Sequence, residues 1–335
     1  MMLQWAEYLL VTALAFVIAA AVGHVAALTT RRSRVRVARP RVRVAVTVEG
    51  AAVPDPAGPP DSTGPRDGAD AAGRPDPADA SDLGDPVGPA SSPSSGAAAR
   101  AAPGVAVFAT AFTGIAAAVL TAYLGLRVGL TGHGPFASQH EFAVSFAWGI
   151  LVAFLLAQWR LKAKVLGVAV LPVAACLLAY ALRLDAGVRP LVPALQNNLL
   201  LTLHVGFAVL SYGAACVAFG AAVVYLAHPR LQLKTPRQRF DEIGYRGAVV
   251  TFPLMTVMIV LGALWAETAW GRYWGWDPKE TAALVTWLLY AGYLHARVAR
   301  GWRGARCAWL LVIGFAAVMF VYFGNSFLGG LHAYG

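Results

Sequence analysis

Charge is scarce in this 335-residue chain: charged residues make up 13 %, against 58 % hydrophobic. So few charges cannot cover a soluble domain of this size, whereas a polytopic membrane protein needs no more. Cysteine is scarcer still. Cys176, Cys216 and Cys307 form no C-x-x-C pair and fall inside or at the end of apolar runs, which argues against thiol reduction by the chain itself. Acidic residues are also few, 17 against 27 Lys and Arg, for a net charge of +10. That excess recurs in alternate loops between apolar runs, the topology pattern of a membrane protein, so no nucleic-acid partner is expected. The first apolar run lacks the charged start and small-residue cleavage site of a secretory signal, and it is read as a retained helix.

Eight apolar runs are long enough to cross a bilayer, at about residues 5–28, 104–130, 142–159, 165–183, 199–227, 247–268, 280–298 and 306–324. Helices satisfy their backbone polar groups internally in lipid, so the expected fold is an all-α, polytopic integral membrane bundle of about eight transmembrane helices. Three regions follow: an N-terminal transmembrane helix (1–30), a basic and then Pro/Ala/Asp-rich insert (31–103), and a membrane domain (104–335) with an external aromatic loop at 265–281. Arginines from Arg31 to Arg43 follow the first run; Arg160, Lys162 and Lys164 follow the third; Arg230 to Arg246 follow the fifth; and Arg297 to Arg306 follow the seventh. The positive-inside rule puts these four loops in the cytoplasm. Both termini, the loops near Gly134 and Pro193, and the aromatic loop then lie outside a multi-pass plasma-membrane protein. The arginines after the first run suit anionic membrane lipid, each contributing on the order of 1 kcal/mol near the surface.

Between 49 and 103 the sequence lacks any hydrophobic period. Ala, Pro, Gly, Ser and Asp dominate, and such a composition cannot bury enough apolar surface to offset the entropy of ordering. A disordered, solvated insert without chemistry of its own is expected.

What the chain has in abundance is local. The stretch WGRYWGWDPKE at 270–280 places three Trp and a Tyr in one short loop between two apolar runs. Interfacial aromatic belts use the same residues, but they scatter them over many helix ends. Converging rings can stack on a flat conjugated ligand such as a porphyrin and exclude water from it. Trp270, Trp274 and Trp276 are the expected platform. Asp277-Pro-Lys-Glu280 also reads as a helix start, with Asp as cap, Pro in first position and Glu three residues after the cap.

With GALWAE at 262–267, TWLLYAGYLHAR at 286–297, NSFLGGLHAY at 325–334 and LHVGFAVLSY at 203–212, this loop resembles the CcsA/ResC family of system II cytochrome c biogenesis proteins. That family belongs to the heme-handling superfamily named for its tryptophan-rich WWD motif. GPFASQHEF at 134–142 is a weaker echo of its first external loop, and residues 1–100 carry almost none of the resemblance. The likeness implies heme b as bound substrate, with His204 and His332 as axial ligands of its iron at the external site. His295, near the cytoplasmic end of the seventh run, would contact heme within the membrane. Arg272 and Lys279 would neutralize heme propionates or snorkel to headgroups, and Asp277 belongs to the same loop. Trp265 and Glu267 would end the sixth run and orient the loop.

The family scheme adds a second intramembrane histidine from a ResB/CcsB-type partner. His24 in the first run is a local counterpart with no motif around it. His133 and His140 are expected to be solvated loop residues, and His228 to lie in the headgroup region. The implied activity is that of a holocytochrome c synthase, or heme lyase, component. It would join heme to an apocytochrome c bearing a CxxCH motif, with a thioredoxin-like protein keeping the acceptor thiols reduced. No acid, base or nucleophile for that step is identifiable. Two other readings use the same histidines: a heme exporter or chaperone without ligase activity, and a bis-histidine electron-transfer membrane protein.

Overall fold

A computed structural model describes residues 2–37, 95–187, 195–196 and 198–332. Among them there is no strand. The elements are α1 (Met2–Val37), α2 (Ser95–Thr131), α3 (Gln139–Leu161), a 3-10 turn (Lys164–Leu166), α4 (Gly167–Ala181), α5 (Asn198–Leu231), α6 (Arg237–Trp270), α7 (Pro278–Val298) and α8 (Ala305–Leu328). The eight expected spans correspond to these eight helices. Seven are long and apolar enough to cross a membrane. The remaining one, α7, carries Lys279 and Glu280 at one end and His295 and Arg297 at the other, which lowers its mean hydropathy. Most of the insert lies outside the described residues. At its edges α1 continues to Val37 and α2 begins at Ser95, so helix reaches inside the expected limits of 31 and 103.

α5 is the central helix. Of its apolar stretch 78 % is buried, against 28 % for α1 and α6, and it packs on α6, α3, α8 and α4. In lipid, helices associate through close packing, and small residues permit it. A Cβ on Gly213 of α5 would stand 2.5 Å from the carbonyl oxygen of Gly149 on α3. One on Gly247 of α6 would stand 2.8 Å from Ala218 Cβ of α5. α1 packs on α2 and α4, and α7 packs on α8 and α6.

Two buried ion pairs brace opposite ends of the bundle. At the start of α3, Arg127 and Glu141 are 1 % and 2 % exposed; Arg127 Nη2 donates to Glu141 Oε1 at 2.7 Å and Nη1 to the Ala186 carbonyl at 2.6 Å. The other Glu141 oxygen accepts the Ala137 amide at 2.9 Å. One guanidinium thereby joins α2, the start of α3 and the segment after α4. Beside it, His140 is 3 % exposed: Nδ1 donates to the Ala181 carbonyl at 2.9 Å and Nε2 accepts the Tyr123 hydroxyl at 2.6 Å. This corrects the expectation of a solvated loop histidine, because the helix start that carries His140 is packed beneath α2 and α4. At the other end, Arg297 of α7 pairs with Asp241 of α6, which also accepts the Gly304 amide at 3.0 Å before α8.

A cavity between two histidines

The aromatic loop is held at both ends by its own backbone chemistry. α6 stops where Gly271 adopts φ +69° and returns its amide to the Glu267 carbonyl at 2.8 Å, a left-handed helix end that glycine adopts without a Cβ clash. α7 starts with the capping box expected of Asp277-Pro-Lys-Glu280: Asp277 accepts the Lys279 amide at 3.0 Å, and Glu280 accepts the Asp277 amide at 3.1 Å. Glu280 also accepts the Gly275 amide at 2.8 Å, so a single carboxylate fixes the second half of the loop.

This rigid turn delivers Asp277 to the chain's C-terminal segment. His332 Nδ1 donates to Asp277 Oδ1 at 2.9 Å, and the Leu331 amide donates to Oδ2 at 2.6 Å. Burial would raise the Asp277 pKa, but the hydrogen bonds from Lys279 N–H, His332 and Leu331 N–H outweigh it and hold the carboxyl below its usual range. Burial, and then the Lys279 charge, push His332 down to about 4 against the opposing pull of Asp277. At neutral pH this is a neutral imidazole with its proton on Nδ1, which leaves the lone pair on Nε2. His204 on α5 reaches the same state by another route, as its Nδ1 donates to the Met258 carbonyl of α6 at 2.8 Å.

Trp265 ties the two histidines together. It is 2 % exposed; its ring lies parallel to His204 (7°, centroids 6.3 Å apart) and tilted against His332 at 5.7 Å. Trp270 packs edge-on against both Trp265 (4.8 Å) and His332 (4.9 Å). Trp265 was expected to end the sixth run and orient the loop, and its contact with both histidines has no local signature in the sequence.

His204 and His332 both line a cavity of about 470 Å³, within the ordinary size range for small-molecule and cofactor sites. Its walls come from the loop and helix start at Phe136–Ala137–Ser138–Gln139, from α5 (Val205, Ala208, Tyr212), from α6 (Met258, Gly262) and from Tyr322 of α8. Tyr273, Trp274, Lys279 and Glu280 also line it.

Of the residues expected at the site, the structure thus gathers His204, His332, Trp274 and Lys279 on the cavity, with Trp270 and Asp277 directly behind His332. Trp276 stands in the second rank: it adopts φ +55°, is 69 % exposed, and meets Trp274 edge-on at 5.8 Å. Arg272 is exposed and lies against Gly275 rather than on the cavity wall. His295 is exposed near the far end of α7, roughly 27 Å along the helix from Asp277 at 1.5 Å per residue. It belongs to a separate place in the bundle.

The other histidines have local roles. His24 is 3 % exposed and edge-on to Phe154 at 5.6 Å, away from the cavity lining. His228 donates through Nε2 to the Thr235 carbonyl at 2.8 Å, and His133 through Nδ1 to the Gly134 carbonyl at 2.8 Å. Among the described residues no group of three or more His, Cys, Asp or Glu is placed to hold a bare metal ion. The donor set at the cavity is instead two neutral imidazoles among aromatic rings. Such a set can offer two nitrogen ligands to an iron already held in a flat macrocycle.

The profile of the "Cytochrome C assembly protein" family matches residues 137–332, which span both histidines and the whole loop. The chain is 35 % identical over 251 residues to the cytochrome c biogenesis protein CcsA of Guillardia theta, covering 66 % of this chain and 83 % of that protein. It is 35 % identical over 299 residues to CcsA of Gloeothece citriformis, covering 72 % and 91 %. Among solved structures it is similar to the cytochrome c heme lyase CcmF, with TM-score 0.52 and 22 % identity over 67 % of this chain and 43 % of that one, a likeness of fold. A family match across more than half of the chain, with the cavity inside it, makes this multi-pass membrane protein a member of the cytochrome c assembly protein family.

Proposed function

We propose that the chain binds heme b in the cavity between His204 and His332 and promotes its attachment to apocytochrome c. The observation that carries the reading is the matched state of the two imidazoles. Each commits Nδ1 to a protein acceptor, Met258 O or Asp277, and in this reading the other ring nitrogen, Nε2, is the iron ligand. The His332–Asp277 pair has the carboxylate–histidine form by which proteins orient metal-ligating imidazoles and raise their basicity.

The attachment step adds an acceptor thiol across a heme vinyl group. A carbon–sulfur bond forms, the thiol hydrogen ends on the adjacent carbon, and the vinyl double bond becomes single, with no net transfer of electrons. Two such additions join a CxxCH segment. The reactive groups belong to the heme and the acceptor. The chain supplies axial ligation, orientation and shelter from water and oxidant.

In this reading the basic loops are cytoplasmic and the aromatic loop is external, as the positive-inside rule requires. A ResB/CcsB-type membrane protein completes the apparatus, and a thioredoxin-like reductant keeps the acceptor thiols ready. His295, at the opposite end of α7 from the cavity, would meet heme on the inner side before it reaches the external site.

Histidine-to-glycine exchange tests the ligand assignment. His204→Gly or His332→Gly should abolish the bis-imidazole heme spectrum and cytochrome c maturation, and added imidazole should restore both in part. Loss without rescue in both variants, with the protein folded and abundant in the membrane, would contradict axial ligation.

A further inference from the structure

One cavity group is not explained by iron ligation. Lys279 occupies the second position of α7 and lines the cavity together with both histidines. Its backbone amide is taken by Asp277, but its ammonium forms no ion pair with any described residue. Its Nζ stands over the face of Phe142, 5.9 Å from the ring centroid.

No nearby carboxylate stands within ion-pair distance of the ammonium, although the Asp277 charge favours it through space. Asp277 accepts from His332, Leu331 N–H and Lys279 N–H, while Glu280 accepts the amides of Gly275 and Asp277. Once an occupant excludes water from the cavity, an ammonium with no carboxylate in ion-pair contact is costly unless the occupant brings one. Arg272, the other basic residue of the loop, lies off the cavity wall.

We infer that Lys279 is the anion-binding point of the cavity: it pairs with a carboxylate on the edge of the bound porphyrin and so fixes which edge faces inward. This rests on the heme reading above and deepens it. A flat macrocycle held only by two axial nitrogens can still turn about the axis through them, and aromatic walls oppose that rotation weakly. A charge-assisted contact at one edge removes the freedom. With the propionate edge drawn to Lys279 at the start of α7, the vinyl edge is left toward the remaining wall and the acceptor. Lys279 is therefore a positioning residue, one that acts on the orientation of the substrate and not on the bond being made.

The test compares iron protoporphyrin IX with its dimethyl ester, which keeps the ring, the vinyl groups and the iron but lacks both carboxylates. Purified full-length protein is titrated with each, and the bis-imidazole absorbance is the readout. Wild type should bind the diacid at least tenfold more tightly than the ester. Lys279→Met should bind the two within about twofold of each other, and Lys279→Arg should restore most of the preference. Equal binding of both porphyrins by wild type, or a preference undiminished in Lys279→Met, overturns the inference. In either case an intact bis-imidazole spectrum leaves the heme site standing. Absence of that spectrum with both porphyrins in wild type contradicts the underlying reading instead. Unchanged helical content by circular dichroism shows that Lys279→Met retains the fold.

Discussion

Gly262 of α6 lies directly against the imidazole of His204 on α5: a Cβ at position 262 would stand 2.6 Å from His204 Cε1 and 2.9 Å from Nδ1. The ring is thus pressed into a slot floored by backbone, while its Nδ1 bonds to the Met258 carbonyl one turn earlier on the same helix. Gly262→Ala is expected to push the imidazole away from Met258, at a cost of about 1–3 kcal/mol typical of overpacking. Heme loading should fall and the bis-imidazole spectrum should shift, although His204 itself is unaltered. A variant with the wild-type spectrum and full maturation would show that the slot does not set the ligand.

That slot also marks where sequence reading stops. The spans and the capping box of α7 were legible because each is written in neighbouring residues or a local period. The partners of the histidines were not. His204 and Met258 are 54 residues apart, and His332 and Asp277 are 55 apart. Trp265 shows the same limit: it was expected to end its helix and orient the loop, and only the fold brings His204 and His332 against it. His140 was misread as solvated for a related reason, since its burial depends on Tyr123 and Ala181 from two other helices. Lys279 and Arg272 were indistinguishable as charges in one loop. Only the folded chain puts the first on the cavity wall and the second outside it.

The Arg127–Glu141 pair should prove structural, with a consequence at the cavity. Removing one member of a buried ion pair costs about 3–5 kcal/mol, because the other is left uncompensated. Glu141→Ala is therefore expected to lower the thermal unfolding midpoint strongly. It also releases the Ala137 amide, so the wall at Phe136–Ala137–Ser138 should loosen and heme retention should drop. The double variant Arg127→Met with Glu141→Leu should recover stability relative to either single change. Circular dichroism melts of all three, alongside heme off-rates, decide the point.

The placement of the insert predicts two independent outcomes. A topology reporter inserted near residue 70 should read cytoplasmic, and one fused after His332 should read external, because arginines follow the first, third, fifth and seventh spans. Deleting about residues 52–98, with a short flexible connection left between the first two helices, should leave maturation unchanged. Opposite reporter signals at both sites would reverse the orientation. Lost maturation at normal membrane abundance would assign the insert a partner.

Asp277 separates the cap of α7 from the orientation of His332, because asparagine caps a helix as well as aspartate does but carries no charge. Asp277→Asn should leave helical content nearly unchanged while weakening heme binding by about 10–100-fold, the usual effect of losing a carboxylate behind a ligating histidine. The pH dependence supplies a second readout. Burial, followed by the Lys279 charge, depresses His332 to about 4, whereas the unfolded chain titrates near its ordinary value of about 6.5. The unfolded state therefore binds the proton first as pH falls. The stability linked to this histidine is complete above about 6.5 and is lost as pH falls toward 4. Heme binding, which needs the neutral ring, should be flat from pH 8 to about 5 and decline as pH approaches 4. Asp277 opposes the depression, so in Asp277→Asn the acid limb should move to lower pH even as affinity falls. An affinity and an acid limb both identical to wild type would show that His332 takes its orientation from some other contact.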